Sequence, residues 1–245
     1  MGNSSTLLSA YSDQINLVLQ TFQNTQGKAL EASANKIVEA YLAKKRFLVF
    51  GSGHSHMVPE EFYARAGGLA YVTPILQNEL SLTDHPLKST LIERTLEMAK
   101  VYFDLYHMEK GDVLLIASNS GRNAMPIELA KLAKEAGLSV IVFINEKQSK
   151  VISSRHPSGK NLSSYSDIVI DNCGAWGDAG FELEDGLIMG SSSTIVGAYM
   201  AQSLSILVAS KIRALGLEVP VFRSSNLDGA DQHNKELMDR FCKNY

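Results

Sequence analysis

The sequence predicts an α/β fold built on a parallel sheet. Three observations predict it: short apolar runs of strand length, a helical pattern after several of them, and small polar loops at the strand-to-helix passages. Two consecutive strand–loop–helix–strand units of this length imply parallel strands joined by right-handed crossovers.

Leu7 to Leu42 comes first, with apolar residues at helical spacing: Leu7, Leu8, Tyr11, Ile15, Val18, Leu19 and Phe22, then Leu30, Ala34, Ile37, Val38 and Tyr41. Gly27 is expected to split this stretch into two helices or to bend it. Residues 1–45 are therefore expected to form a helical segment that packs across the domain or against another subunit. Residues 46–245 then form a single structural unit.

Arg46 to Phe50 (RFLVF) reads as a short buried strand, followed by the loop GSGHSH. A helix is expected from about Pro59 to Arg65, stopped by Gly67-Gly68. Tyr71 to Leu76 is a second strand, Asp84-His85-Pro86 a turn, and Leu91 to Tyr106 a helix with Leu91, Leu96, Met98 and Phe103 inside. Gly111-Asp112 leads into the strand Val113 to Ala117 (VLLIA), the loop SNSGRN and an amphipathic helix that Gly137 caps. Ser139 to Ile144 (SVIVFI) is the next strand, and a polar connection, Asn145 to Ser166, leads to a last strand at Asp167 to Ile170. A Gly- and Asp-rich loop covers Asp171 to Gly190. A long helix runs from about Ser192 to Leu215, and a final one from Asp231 to Phe241.

Composition narrows the function. Apolar residues at 45% and charged residues at 20% suit a soluble globular enzyme. A net charge of −3 without basic clusters argues against nucleic-acid binding, which needs a cationic footprint. Cys173 and Cys242 form neither a CxxC pair nor a ligand cluster, so they read as thiols of a reducing compartment. The start MGNSSTLLSAYSDQ lacks a cationic, apolar leader, and a cytoplasmic location is expected. The longest apolar run, Ile195 to Ala209, is broken by Gln202, Ser203 and Ser205. It reads as a buried helix and not as a membrane span.

Two loops carry the chemistry. Ser118, Asn119, Ser120 and Gly121 fall where a strand ends and a helix begins, with unpaired backbone N–H groups and the positive end of the helix dipole. That position suits an anion, and the phosphate of a sugar phosphate is the reading adopted. Serine hydroxyls can donate to phosphate oxygens, Gly121 lets the backbone approach, and Asn123 is placed to cap the helix. In Gly51-Ser52-Gly53-His54-Ser55-His56 the third glycine of a dinucleotide fingerprint is replaced by His56, and no acidic residue closes a second strand at the required distance. No redox cofactor is expected. Ser52, His54, Ser55 and His56 instead offer donors and acceptors to hydroxyl-bearing ligands.

These stretches resemble the sugar isomerase (SIS) domain family. FLVFGSGHS, DVLLIASNSGRNAMPIELAKLAKEAGLSVIVFI, YSDIVID and SSSTIVGAYMAQSLSILV occur in that order and cover most of Leu30 to Leu215. The resemblance implies a flavodoxin-like three-layer sandwich with a five-stranded parallel sheet, preceded by N-terminal helices. It also implies a homodimer or homotetramer with a phosphosugar site partly built across subunits. By position, Ser118, Asn119, Ser120 and Asn123 correspond to phosphate-binding residues, and His54 and Ser55 to residues contacting the sugar. GSGHSHMVPEEFYARAGG looks like a stand-alone phosphosugar-binding branch and is similar to the sedoheptulose-7-phosphate isomerases, whose corresponding helix carries a catalytic glutamate. Glu60 and Glu61 come roughly one helical turn earlier here.

Aldose–ketose isomerisation moves a proton between adjacent carbons through an enediol, work suited to a carboxylate base, and a histidine can open the ring. Glu61 is the expected base, and His56, His156 or His233 the acid. A lyase or etherase acting on an amino-sugar phosphate, or a non-catalytic phosphosugar sensor, are the alternatives. Asp171, Asp178, Glu182, Glu184 and Asp185 lack EF-hand spacing and read as a solvated loop, so no metal is expected.

Overall fold

A five-stranded parallel sheet in the order β2–β1–β3–β4–β5 organises the chain. It comprises β1 (Phe47–Gly51), β2 (Val72–Pro74), β3 (Val113–Ala117), β4 (Ser139–Ile144) and β5 (Ile168–Asp171). The computed structural model describes residues 4–83, 85–183 and 186–242. The strand order is the flavodoxin-like one, with the chain reversing direction across the sheet at β1 and β3. Such a reversal opens a crevice at the carboxyl ends of those two strands, where both polar loops lie.

All five residues of β1 and of β3 are buried. Side chains alternate between faces, so each strand feeds two cores. Phe47, Val49, Val113, Leu115, Ile141 and Phe143 face one side, packed with Phe22, Ile37, Val58, Phe62, Val196, Met200 and Leu204. Leu48, Phe50, Leu114, Ile116, Val140 and Val142 face the other, packed with Tyr102, Met125, Ile127, Leu129 and Ala130. The first core is covered by α1 (Ser4–Leu42), α2 (Met57–Phe62) and α7 (Ser193–Ala214). The second is covered by α4 (Met98–Leu105) and α5 (Ala124–Glu135). Each of those large buried side chains contributes about 1.5–3 kcal/mol.

Several expected boundaries differ. The break at Gly27 does not occur, because α1 is one helix of 39 residues. An interior glycine costs about 1 kcal/mol against alanine, and burial of Phe22, Leu30, Ala34 and Ile37 on either side of it outweighs that. The segment therefore lies on the sheet face with α7 and shares its core. The helix expected from Pro59 starts at Met57, after a 3₁₀ turn over Gly53–His56. It ends at Phe62, where Tyr63 turns extended and Ala64 takes φ +47°.

The helix expected over Leu91 to Tyr106 is two, α3 (Lys88–Ile92) and α4, and the turn between them carries Glu93. In the expected turn at Asp84, that residue lies outside those described. The connection after β4 contains a short α6 (Glu146–Val151). The loop expected over Asp171 to Gly190 contains an antiparallel hairpin, β6 (Ala179–Glu182) and β7 (Ile188–Ser191). α8 (Ala230–Phe241) is the last helix described.

Among the described residues α7 alone is long and apolar enough to cross a membrane. Its Val196, Gly197, Met200, Ala201, Leu204, Val208 and Ile212 are buried in the first core.

Candidate functional site

The SNSGRN loop leaves β3 and is pinned from several sides. Ser118 N donates to Phe143 O, Asn145 N to Asn119 O, and Leu162 N to Gly121 O. Gly121 sits at φ +60°, and a Cβ there would lie 3.0 Å from Ser149 Oγ, so both conformation and space call for glycine. Among the described residues, the backbone N–H groups of Asn119, Ser120, Arg122 and Asn123 have no acceptor within the chain. No side-chain hydrogen bond is made by Ser118 or Ser120 among those residues either. A rigid loop of free donors at the N-terminus of a 12-residue helix is what an anion requires.

Asn123 occupies the N-cap of α5, yet its side chain makes no capping bond. Its Nδ2 donates to Glu93 Oε1 (2.6 Å) and its Oδ1 accepts from Arg155 Nη1 (2.6 Å). Capping by this side chain, the sequence expectation, is displaced by two charge-assisted bonds, which are the stronger kind. Asn119 turns the other way, and its Oδ1 accepts from Asn172 Nδ2 (2.7 Å).

The GSGHSH loop rises beside it from β1. A Cβ on Gly51 would lie 2.0 Å from Ser55 O, which holds the turn tightly against the strand end. Ser52 Oγ donates to Glu93 Oε2 (2.9 Å). His54 is exposed and Ser55 half-buried. Together with Glu61, Asn119, Asn172, Ser193 and Thr194 they line a cavity of about 60 Å³. Ligand pockets usually run to about 300–1,000 Å³, so this cavity alone is smaller than a typical small-molecule site.

Glu61 projects into the cavity from α2. Gln202 Nε2 donates to its Oε1 (2.8 Å), and Arg65 pairs with its other oxygen. The opposite wall is the N-terminus of α7, whose Ser192 and Ser193 N–H groups donate to Asp178 Oδ1 (3.1 and 2.8 Å). Asp178 is thus a capping residue. Glu184 and Asp185, placed in the same acidic loop by the sequence, lie outside the described residues. Among those described, no cluster of three metal-ligating side chains occurs.

The histidines separate. His56 is buried, with Nδ1 2.7 Å from Glu60 Oε1 and an Nε2 that meets no partner. His156 has both ring nitrogens engaged, by Ser158 Oγ (2.8 Å) and Glu128 Oε2 (2.7 Å), and does not line the cavity. His233 lies 3.0 Å from Val221 O and is likewise absent from the lining. The structure therefore brings together His54, Ser55, Glu61 and Asn119 around the cavity, with Ser52, Ser118, Ser120 and Asn123 on the adjoining loops.

Sequence reading missed Glu93, Asn172, Ser193 and Thr194. Glu93 is half-buried, and burial raises its pKa above the usual carboxylate range, against the lowering influence of Ser52, Arg94 and Arg155. Two carboxylates thus flank the ends of β1 and β3, Glu61 on the α7 side and Glu93 on the α5 side.

Comparison with known proteins agrees with this architecture. Residues 10–145 match the SIS domain. A UPF0309 protein of Halalkalibacterium halodurans is 43% identical over 234 residues, covering 95% of this chain and 97% of its own. A phosphoheptose isomerase from Neisseria gonorrhoeae superposes with a TM-score of 0.58 at 15% identity, covering 85% of this chain and all of its own. The Vibrio vulnificus NanR protein, solved as a complex with ManNAc-6P, gives 0.51 at 16% identity over 95% of this chain and 69% of its own.

Proposed function

The chain belongs to the SIS domain family, and on that premise we propose that it is a phosphosugar isomerase interconverting the aldose and ketose forms of a sugar phosphate, amino-substituted or not, with every substituent retained. One observation carries the reading: a loop of free N–H groups at the end of β3 stands beside a cavity into which Glu61 projects. The SNSG loop holds the phosphate through its backbone and through Ser118 and Ser120. Ser55 and Asn119 position the hydroxyls. Glu61 takes a proton from the carbon beside the carbonyl and returns it to the neighbouring carbon through an enediol. His54 replaces His56, His156 and His233 as the histidine offered to the ring oxygen, since it is exposed at the cavity while those three are held elsewhere.

The small cavity and the exposed Leu7, Leu8, Leu17 and Ile206 support a homodimer or homotetramer in which a second copy completes the site. Free Cys173 and Cys242 suit a cytoplasmic setting. Solvent-derived deuterium entering the substrate beside the carbonyl, followed by NMR in D₂O over a panel of aldose and ketose phosphates, tests the reading. Tight binding without exchange would make the protein a phosphosugar sensor instead. Release of a second small molecule would instead mark elimination from an amino-sugar phosphate, with Glu61 as the base.

A further inference from the structure

Three arginines from three separate segments converge on the α5 side of the loops. Arg94 follows Glu93 in the turn between α3 and α4, Arg122 lies within SNSGRN, and Arg155 follows α6. Arg155 N donates to Arg122 O (2.8 Å), and Arg155 Nη1 donates to Asn123 Oδ1 (2.6 Å). Met125 N donates to Glu93 O (3.0 Å), which holds the turn carrying Arg94 on the first turn of α5, next to Asn123 and Arg155.

Among the described residues none of the three makes an ion pair, and the side-chain Nε of Arg122 is buried without a partner. Glu93, the neighbour of Arg94 in the chain, has both oxygens occupied by Ser52 and Asn123. Glu128, farther along α5, is committed to Lys131 and His156. Packing three like charges beside the positive end of a helix is unfavourable unless an anion joins them. The phosphate of the substrate has its own donors in the SNSG backbone.

We propose that Arg94, Arg122 and Arg155 form a second anion subsite beside the phosphate loop, and that the substrate therefore carries two anionic groups. This rests on the phosphosugar reading above and narrows its substrate class to a sugar phosphate bearing a further carboxylate or phosphate. Guanidinium groups meet either one through paired N–H donors.

Two matched pairs of probes differ by one anionic group: fructose 6-phosphate against fructose 1,6-bisphosphate, and glucose 6-phosphate against 6-phosphogluconate. Calorimetry at low salt should show the dianionic member of one pair binding about tenfold tighter or more, the order of one charge-assisted hydrogen bond. Which pair responds separates phosphate from carboxylate. Arg94→Gln, and Arg94→Gln combined with Arg155→Gln, should remove that advantage while leaving monophosphate affinity within about twofold. Both arginines are exposed, so folding is retained and is verified by the Tm of the free protein. Equal affinity within both pairs would overturn the subsite and leave the phosphosugar reading standing. Loss of monophosphate and dianion binding by the same factor would assign the arginines to the single phosphate and likewise overturn it. Binding of none of the four would overturn both readings.

Discussion

Glu61 and Glu93 are the same residue type at the two flanks of the same crevice, and their surroundings differ in kind. Glu61 faces an open cavity and is held by a guanidinium, Arg65, and an amide, Gln202. Glu93 is held by a hydroxyl, Ser52, and an amide, Asn123, with burial raising its pKa. Each carboxylate is thereby suited to one task. The first lines the cavity, where the proposed reaction needs its base. The second braces the two loops against each other, because Ser52 belongs to one and Asn123 to the other.

Substitutions can break or sharpen this contrast. The largest effect is expected from Glu61→Gln, which should lower turnover about 10²- to 10⁴-fold while sugar-phosphate binding persists. Steady-state rates beside a binding titration measure it, and undiminished turnover would move the base elsewhere. Gly51→Ala strikes both flanks together, since its Cβ would meet Ser55 O in the turn joining Ser52 to His54. A loss of about 3 kcal/mol in chemical denaturation is expected, as for an overpacked core position. Asn123→Ala removes one donor from half-buried Glu93 and the acceptor of Arg155. It should cost about 1–3 kcal/mol, the range for an orphaned buried polar partner. A neutral result would mean that Glu93 is not a brace.

Glu93→Gln is the mildest change, because Gln can still accept from Asn123 while its amide donates to the Ser52 hydroxyl. Its signature is the pH dependence. A carboxyl whose folded-state pKa is raised contributes stability that is present below its unfolded pKa and lost as pH rises through the folded one. The variant should therefore gain on the wild type in Tm as pH climbs through and above the usual carboxylate range. A difference constant across that range would remove Glu93 as a carboxyl with a raised pKa.

The two flanks were also unequally legible in the sequence. SNSG and GSGHS were visible because small polar residues follow short apolar strands at both sites, and the physics of strand ends supplies their role. The pairing of Glu61 with Arg65 spans only four positions of the chain and is local. Asn172, Ser193 and Thr194 reach the cavity, and Gln202 reaches Glu61, from far along the chain, where no local pattern signals them. Glu93 was hidden more thoroughly, inside a run whose helical periodicity spans Leu91 to Tyr106 while the backbone turns in its middle. The hairpin β6–β7 was obscured by its glycines, and Gly27 suggested a break that long-range packing of α1 overrides.

That packing of α1 has a consequence for synthesis. Gln23 donates to Tyr199 Oη (2.6 Å) across 176 residues, and Lys211 pairs with Glu31 across 180. At about 5–20 residues per second, roughly 10–35 s separate the emergence of α1 from that of its partner helix. Through that interval Phe22, Leu30, Ile37 and Val38 lack α7, the long helix with which they share a core. The nascent chain is therefore expected to recruit chaperones at this helix, and the α7 wall of the pocket, with Ser193 and Thr194, is the last to be laid.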